Sequence, residues 1–428
     1  MAFIISKDRL RFVLNRFREH LWVKPLVVCL LSITSIFLAK LADDTSLATL
    51  VPQIDPNTIE ILLSIMASSM LVIATFSVGS MVSAFASASR TATPRSLTLV
   101  VADGESQNAL STFVGAFIFS IVALTAVLNG YFKPAGLFIL FGLTVCVFAV
   151  VVLTFLGWVD QIARLGRMGS TIDKVEKAAA GALKRRKKAL TLGGVLLDSA
   201  AKGHAVFASS VGYVQQIDVS ALNAWAEKSA ARVEVAALPG TFAAPDRALA
   251  YVRIDRDEHE DTDYHPVVKA FQIGGERLFD DDPRFGLVVL SEIAGRALSP
   301  AVNDPGTAID IIGTLQRLFT QWSKVEEKAE GKAEGKGDDQ PEFDRVAVPQ
   351  ISICDMFDDA FTAIARDGAG VVEVASRLQK ALRSLASIGD EEMQQAAKHH
   401  SKLALERARI ALDLKEDLAV VQDAALVP

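Results

Sequence analysis

The apolar positions of this chain change period once, and the change divides it in two. Before about Trp158 they run on without a break in four stretches, 21–42, 61–88, 109–130 and 137–158, each near or above the roughly 20 residues that a helix needs to cross a bilayer. Beyond about Leu190 they alternate, or recur at helical spacing, in segments too short and too polar for that. Trp22 opens the first run, and Lys24 and Lys40 near its ends are expected to snorkel to the interfaces. The second run holds no charge, yet it carries a hydroxyl or a glycine at almost every turn. Ser64, Ser68, Thr75, Gly79, Ser83 and Ser87 follow one another at steps of mostly four and so share one helical face. Such a face serves close packing of another helix, or it lines water, so these six are membrane-interface or pore-facing candidates. Gly115 permits close approach in the third run, and the turn YFKPAG (131–136) makes a tight hairpin of the third and fourth.

The flanks predict the orientation. Residues 1–20 interleave Lys7, Arg9, Arg11, Arg16 and Arg18 with Phe3, Leu10, Phe12, Leu14 and Phe17, which reads as a basic amphipathic helix on the membrane surface. The first loop, Asp43–Pro56, lacks Lys and Arg, whereas the second holds Arg90 and Arg95. A basic juxtamembrane segment, 159–189, ends in KRRKK (184–188), read as an orientation determinant. By the positive-inside rule both termini are then cytoplasmic.

In the second part, residues 190–280 read as a small β-rich unit, a barrel or a sandwich. Its expected strands lie in HAVFA, GYVQQI (212–217), RVEVAA, ALAYVR and VVKAFQIG, with Asp218 capping a short helix and Pro239-Gly240 making a turn. Residues 281–323 read as helix, break, helix. There SPAVNDP separates two amphipathic segments, Asp304 makes a good N-cap, and Pro305 suits the first helical position. Asn303, Asp304 and Thr307 are a candidate site at that helix N-terminus, set against the plainer reading of a capped joint. Asp280, Asp281 and Asp282 read as helix N-terminal charges. The charged, repetitive stretch 324–341 reads as a disordered linker, and 342–428 as a helical region.

Composition narrows the chemistry. Hydrophobic residues make up 51% and mean hydropathy is +0.32, too apolar for an ordinary soluble protein. The net charge of -6 hides a basic first part and an acidic second, and an acidic domain argues against nucleic acid as a partner. Cys29, Cys146 and Cys354 are too few and too scattered for a disulfide framework or a Cys-based metal site. Asp257–His265 is dense in metal-capable groups but reads as a solvated loop between strands, and His399-His400 reads as surface. No phosphate loop and no nucleophile elbow appears, so neither a metal, a cofactor nor an enzyme is expected.

ATFSVGSMVSAFASAS (74–89), STFVGAF (111–117), GYVQQID, LPGTF (238–242) and FGLVVLSEIAGRALSPAVNDPGTA (285–308) together resemble a family of bacterial predicted membrane proteins classed as a domain of unknown function. The resemblance implies an inner-membrane protein and brings no activity, substrate or catalytic residue. The expected fold is therefore an α-helical transmembrane bundle of four spans, followed by a cytoplasmic α+β domain with a helical C-terminal region. The expected partners are the lipid bilayer, further copies in a homo-oligomer, and ions or a cytoplasmic ligand. An ion conduit is the sharpest version of that reading; a membrane-anchored scaffold or signalling module is its rival.

Overall fold

The computed structural model describes residues 22–44, 52–91, 93–101, 104–164, 167–197, 203–254, 262–324 and 341–426. The basic segment 1–20 and nearly all of the charged linker lie outside them. The chain forms two compact units, divided between Thr171 and Ile172.

Four helices of the first unit are long and apolar enough to cross a membrane: α1 (Val23–Leu41), α2 (Pro56–Thr91), α3 (Gly104–Leu128) and α4 (Pro134–Arg164). They match the four expected runs. α2 begins ahead of its run because Asp55 starts the helix locally, its carboxylate accepting the Asn57 N–H at 3.0 Å, with Pro56 suited to the first turn. One core cluster gathers Ile36, Ile59, Leu63, Phe119 and Leu140; a second gathers Met70, Phe113, Val151 and Trp158. The Trp158 ring meets Phe113 and Phe76 edge-on, at 5.8 and 6.0 Å. Gly115 does allow the approach read from sequence: a Cβ there would lie 2.3 Å from Val28 Cγ1. Asp43 is an anchor that the sequence did not advertise. Its buried carboxylate accepts the N–H groups of Lys133 (2.9 Å) and Gly136 (2.6 Å) and the Lys40 ammonium (3.1 Å), so the end of α1 caps the start of α4.

α5 (Met168–Lys188) is amphipathic and leads into the second unit, burying Val175, Ala179, Ala182 and Leu183. The compact second unit thus takes in Ile172–Lys188, residues that the basic run alone assigns to a juxtamembrane segment.

Two sheets share one core in this unit. The larger runs in the order β1 (Gly194–Leu196), β8 (Phe343–Val348), β4 (Ala231–Val235), β6 (Ala248–Ile254), β2 (His204–Phe207). The smaller runs β5 (Phe242–Ala243), β3 (Gly212–Ile217), β7 (Phe271–Gly274). Val206, Val214, Val233, Leu249, Val252 and Phe271 pack between them. Two expectations need correction. In VVKAFQIG the first half belongs to a helical turn, His265–Lys269, because Pro266 fixes a helical φ at its first turn, and the strand starts at Phe271. The region 342–428 is not helical throughout, since Phe343–Val348 is β8, paired in parallel with β1 and β4.

Helices complete the unit: α6 (Val219–Lys228), α7 (Pro283–Ala297), α8 (Pro305–Ser323), α9 (Ile353–Asp367), α10 (Val372–Ile388), α11 (Glu391–Ala411) and α12 (Lys415–Ala424). The Asp218 carboxylate accepts the Ala221 N–H at 3.0 Å and caps α6 as its sequence suggests. α7 rests closely on α5, where a Cβ on Gly286 would stand 2.4 Å from that of Ala179. Phe319, Phe357 and Phe361 stack between α8 and α9. His400 is buried against these rings, contrary to its expected place at the surface, while His399 is exposed. Adjacent residues on a helix face different ways, and α9 covers only one of the pair.

Candidate functional site

The second unit contains a cavity of about 370 Å³ at the start of α7. Four pieces of chain build it: the last turn of α5, the Pro239-Gly240 turn, the segment from Arg277 into α7, and Pro349–Asp355 at the start of α9. The local reasons are plain. Asp282 and Ser352 are N-caps, so α7 and α9 both begin at the cavity, and Pro283 fixes the first turn of α7.

Asp282 is the centre of the wall. Only 2% exposed, its carboxylate accepts the Arg284 and Phe285 N–H groups, both at 3.1 Å, and two hydrogen bonds from Arg277, Nε at 2.7 Å and Nη2 at 3.0 Å. Burial pushes its pKa above the ordinary carboxylate value, against the pull of Arg277 and the two N–H groups. Gly240 leans on the same carboxylate. Its φ is +94°, and a Cβ would stand 2.3 Å from Asp282 Oδ2, so two independent demands select glycine in LPGTF. The Arg277 guanidinium also lies over the Phe285 ring, 5.2 Å from its centre.

Arg284 is shared between Asp359 (Nε, 2.6 Å) and Asp355 (Nη1, 2.6 Å). Arg186 differs from both. It comes from the KRRKK run, is 4% exposed, and donates one terminal N–H to the Pro349 carbonyl at 3.2 Å. Its Nε is buried with no hydrogen-bond partner among the described residues. Desolvation lowers its pKa to about 10, with the Asp281 charge opposing, so it remains a cation at neutral pH. Its neighbours in the run are also tied down: Arg185 donates to the Asp280 carbonyl, and Lys187 to the carbonyls of Trp322 and Lys324. The run is thus built into the second unit in addition to any part in orientation.

The residues singled out in the sequence lie elsewhere. Asp304 caps α8 as expected, accepting the Thr307 N–H at 3.1 Å and its hydroxyl at 2.6 Å, and Asn303 holds a left-handed φ of +49°. Asn303 and Asp304 are exposed, so the cap lies at the surface. Ser64, Ser68, Thr75, Gly79, Ser83 and Ser87 do share one face of α2, and all six are exposed. They point away from the bundle, whose interior takes Leu63, Met66, Met70 and Met81 from the same helix. Nothing lies within 4 Å of a Cβ built on Gly79. The Ser68 hydroxyl donates to the Ser64 carbonyl at 2.9 Å, and the Thr75 hydroxyl to that of Val72, also at 2.9 Å. Arg186, Arg277 and Arg284 escaped the sequence reading. The available signal was FDDDPRFG beside LPGTF, which shows a cap and a turn but not that they meet. Among the described residues no group of three or more His, Cys, Asp or Glu is placed to hold a metal ion.

Comparison with known proteins adds kinship and no activity. An uncharacterised protein of Mycobacterium bovis and two of Mycobacterium tuberculosis are each 58% identical to this chain over 40 residues, which is 9% of this chain. The match spans 8% of the length of those curated relatives. No solved structure matches the chain. Residues 18–384 match the family described as "Predicted membrane protein (DUF2254)", a stretch taking in the four spans, both sheets and the helices that wall the cavity, and the chain therefore belongs to that family of multi-pass membrane proteins of unknown function.

Proposed function

We propose that this protein is a non-enzymatic, self-associating protein of the bacterial inner membrane, in which the outward face of α2 makes the contact between copies. The observation that carries this reading is the direction of the stripe: Ser64, Ser68, Thr75, Gly79, Ser83 and Ser87 are all exposed, while the opposite face fills the bundle. Lipid tails are as apolar as leucine, so helices associate in a membrane through close van der Waals contact, and small residues permit it. The hydroxyls of Ser68 and Thr75 are satisfied on their own helix, which suits a packing face better than a row of donors open to water. A second reading is an ion path between copies. It is favoured by the same direction, since an outward stripe meets a path only where copies adjoin. The charge asymmetry of the loops supports cytoplasmic termini.

Gly79→Leu tests the reading. The new side chain has open space within one chain, so folding should survive while the native mass of the detergent-extracted protein falls to that of a monomer. A parent that is already monomeric, in detergent and on cross-linking in membranes, overturns the reading. Liposome flux separates the conduit version: Ser83→Leu should abolish it and Ser83→Asp should raise cation passage. Orientation is checked with single cysteines in a chain whose three native cysteines are replaced by serine. One at the exposed Asn129 should label from outside and one at the exposed Glu105 should not.

A further inference from the structure

We propose that the cavity at the start of α7 is a binding site for a small hydroxylated phosphate monoester, with the Arg186 guanidinium as the group that receives the phosphate. The inference is independent of self-association and rests on an imbalance among three arginines. Arg277 is matched by Asp282 through two bonds, and Arg284 by Asp355 and Asp359 through one each. Among the described residues no carboxylate is bonded to Arg186; it has one backbone carbonyl and a buried Nε without a partner. A guanidinium taken out of water is costly unless an anion and hydrogen bonds compensate it, and here the compensation within the chain is incomplete. The cavity lies beside it, which places the missing partner there.

The surroundings select among anions. A guanidinium offers a planar fork suited to two oxygens of one phosphate. Thr241 and Gln350 line the same cavity, and their side chains carry further donor groups, more than the two oxygens of a carboxylate would occupy. The start of α9 adds the partial positive charge of a helix N-terminus. Its own first donors are taken, the Asp355 N–H by Ser352 and the Ile353 N–H by Glu392, so the helix contributes field and not hydrogen bonds. Asp281 and the half-exposed Asp355 also line the cavity and accept but do not donate. They repel a bare polyanion and welcome hydroxyl groups, which is why the ligand is a hydroxylated ester with a single phosphate. About 370 Å³ lies at the small end of small-molecule sites. The same phosphate chemistry comes from a free metabolite or from a lipid headgroup.

The test is a thermal melt of the full chain in detergent micelles, with inorganic phosphate, glycerol 3-phosphate, glycerate, and potassium chloride at matched ionic strength. The lipid arm uses the full chain in micelles doped with phosphatidic acid or with phosphatidylcholine. Glycerol 3-phosphate should raise the melting temperature by about 3 °C or more at saturation, inorganic phosphate by less, and glycerate and chloride not at all. A rise with phosphatidic acid alone assigns the phosphate to a lipid headgroup and keeps the site. Arg186→Met should abolish the shift without lowering the melting temperature of the ligand-free protein, because it removes a buried charge that the Pro349 carbonyl and the Asp281 charge compensate only in part. Arg186→Lys, which keeps the charge and loses the fork, should fold and weaken binding at least tenfold if Arg186→Met does not fold. No shift with any phosphate probe, a shift equalled by chloride, or a shift that survives both variants overturns the proposal.

Discussion

Asp282-Pro283 and Asp304-Pro305 are the same signal written twice, and the fold uses them in opposite ways. Each aspartate caps a helix of more than a dozen residues, and each proline takes the first turn. Asp304 stands exposed and bonds Thr307 on its own helix, so its contribution is local. Asp282 is buried and gathers Arg277, two N–H groups and the Gly240 turn, so three parts of the chain depend on it. A cap is a local event decided by a few residues. Whether it also becomes a wall depends on what packs over it.

Four measurements break or sharpen that contrast, in falling order of effect. Asp282→Ala should destabilise the second unit by about 3 kcal/mol, because it strands Arg277 in a largely buried place; urea unfolding of the full chain measures it, and a loss no larger than that of Asp304→Ala would erase the difference. Gly240→Ala should cost about 2 kcal/mol, from the positive φ and the collision with Asp282 together, whereas Gly306→Ala beside Asp304 should change stability by less than about 1 kcal/mol. Asp304→Ala should cost about 1 kcal/mol as a simple cap, and Asp304→Asn clearly less.

The smallest effect is in acid. Bonds from the Thr307 hydroxyl and N–H hold the Asp304 carboxyl below its ordinary value of 3.8. Its folded pKa is depressed, so its contribution is present above the ordinary value and is lost as pH falls through the lowered one. Asp282 is displaced the other way, so the folded state takes up its proton first, and its titration favours the fold as pH falls through the raised value. The advantage of the parent over Asp304→Asn should therefore shrink below pH 3.8, while its advantage over Asp282→Asn should grow already above that pH. Unfolding curves at successive pH values would show equal slopes for the two variants if the environments were alike.

His400 teaches the same lesson on a smaller scale. Of two adjacent histidines on different faces of one helix, one is sealed beneath α9, where desolvation lowers its pKa against the pull of Asp358, 3.2 Å away. The second unit should then lose stability as pH falls through about 6.5, where the unfolded chain takes up the proton that the fold resists.

Local rules sufficed wherever an element is decided by its own residues. The bilayer imposes a length on apolar runs, so the four spans were legible, and caps at Asp218 and Asp304 were legible because a carboxylate and an N–H three residues on decide them. The stripe on α2 was legible as a face, but its direction was not, since a helix cannot tell from its own sequence which side its neighbours will take. β8 escaped because its partners β1 and β4 lie more than 100 residues away, and a six-residue strand has no period long enough to betray it. Arg186 escaped for the strongest reason: within KRRKK all five charges look alike. Only the close seating of α5 on α7 at Ala179 and Gly286, and the Pro349 carbonyl brought from far along the chain, took that one guanidinium out of water.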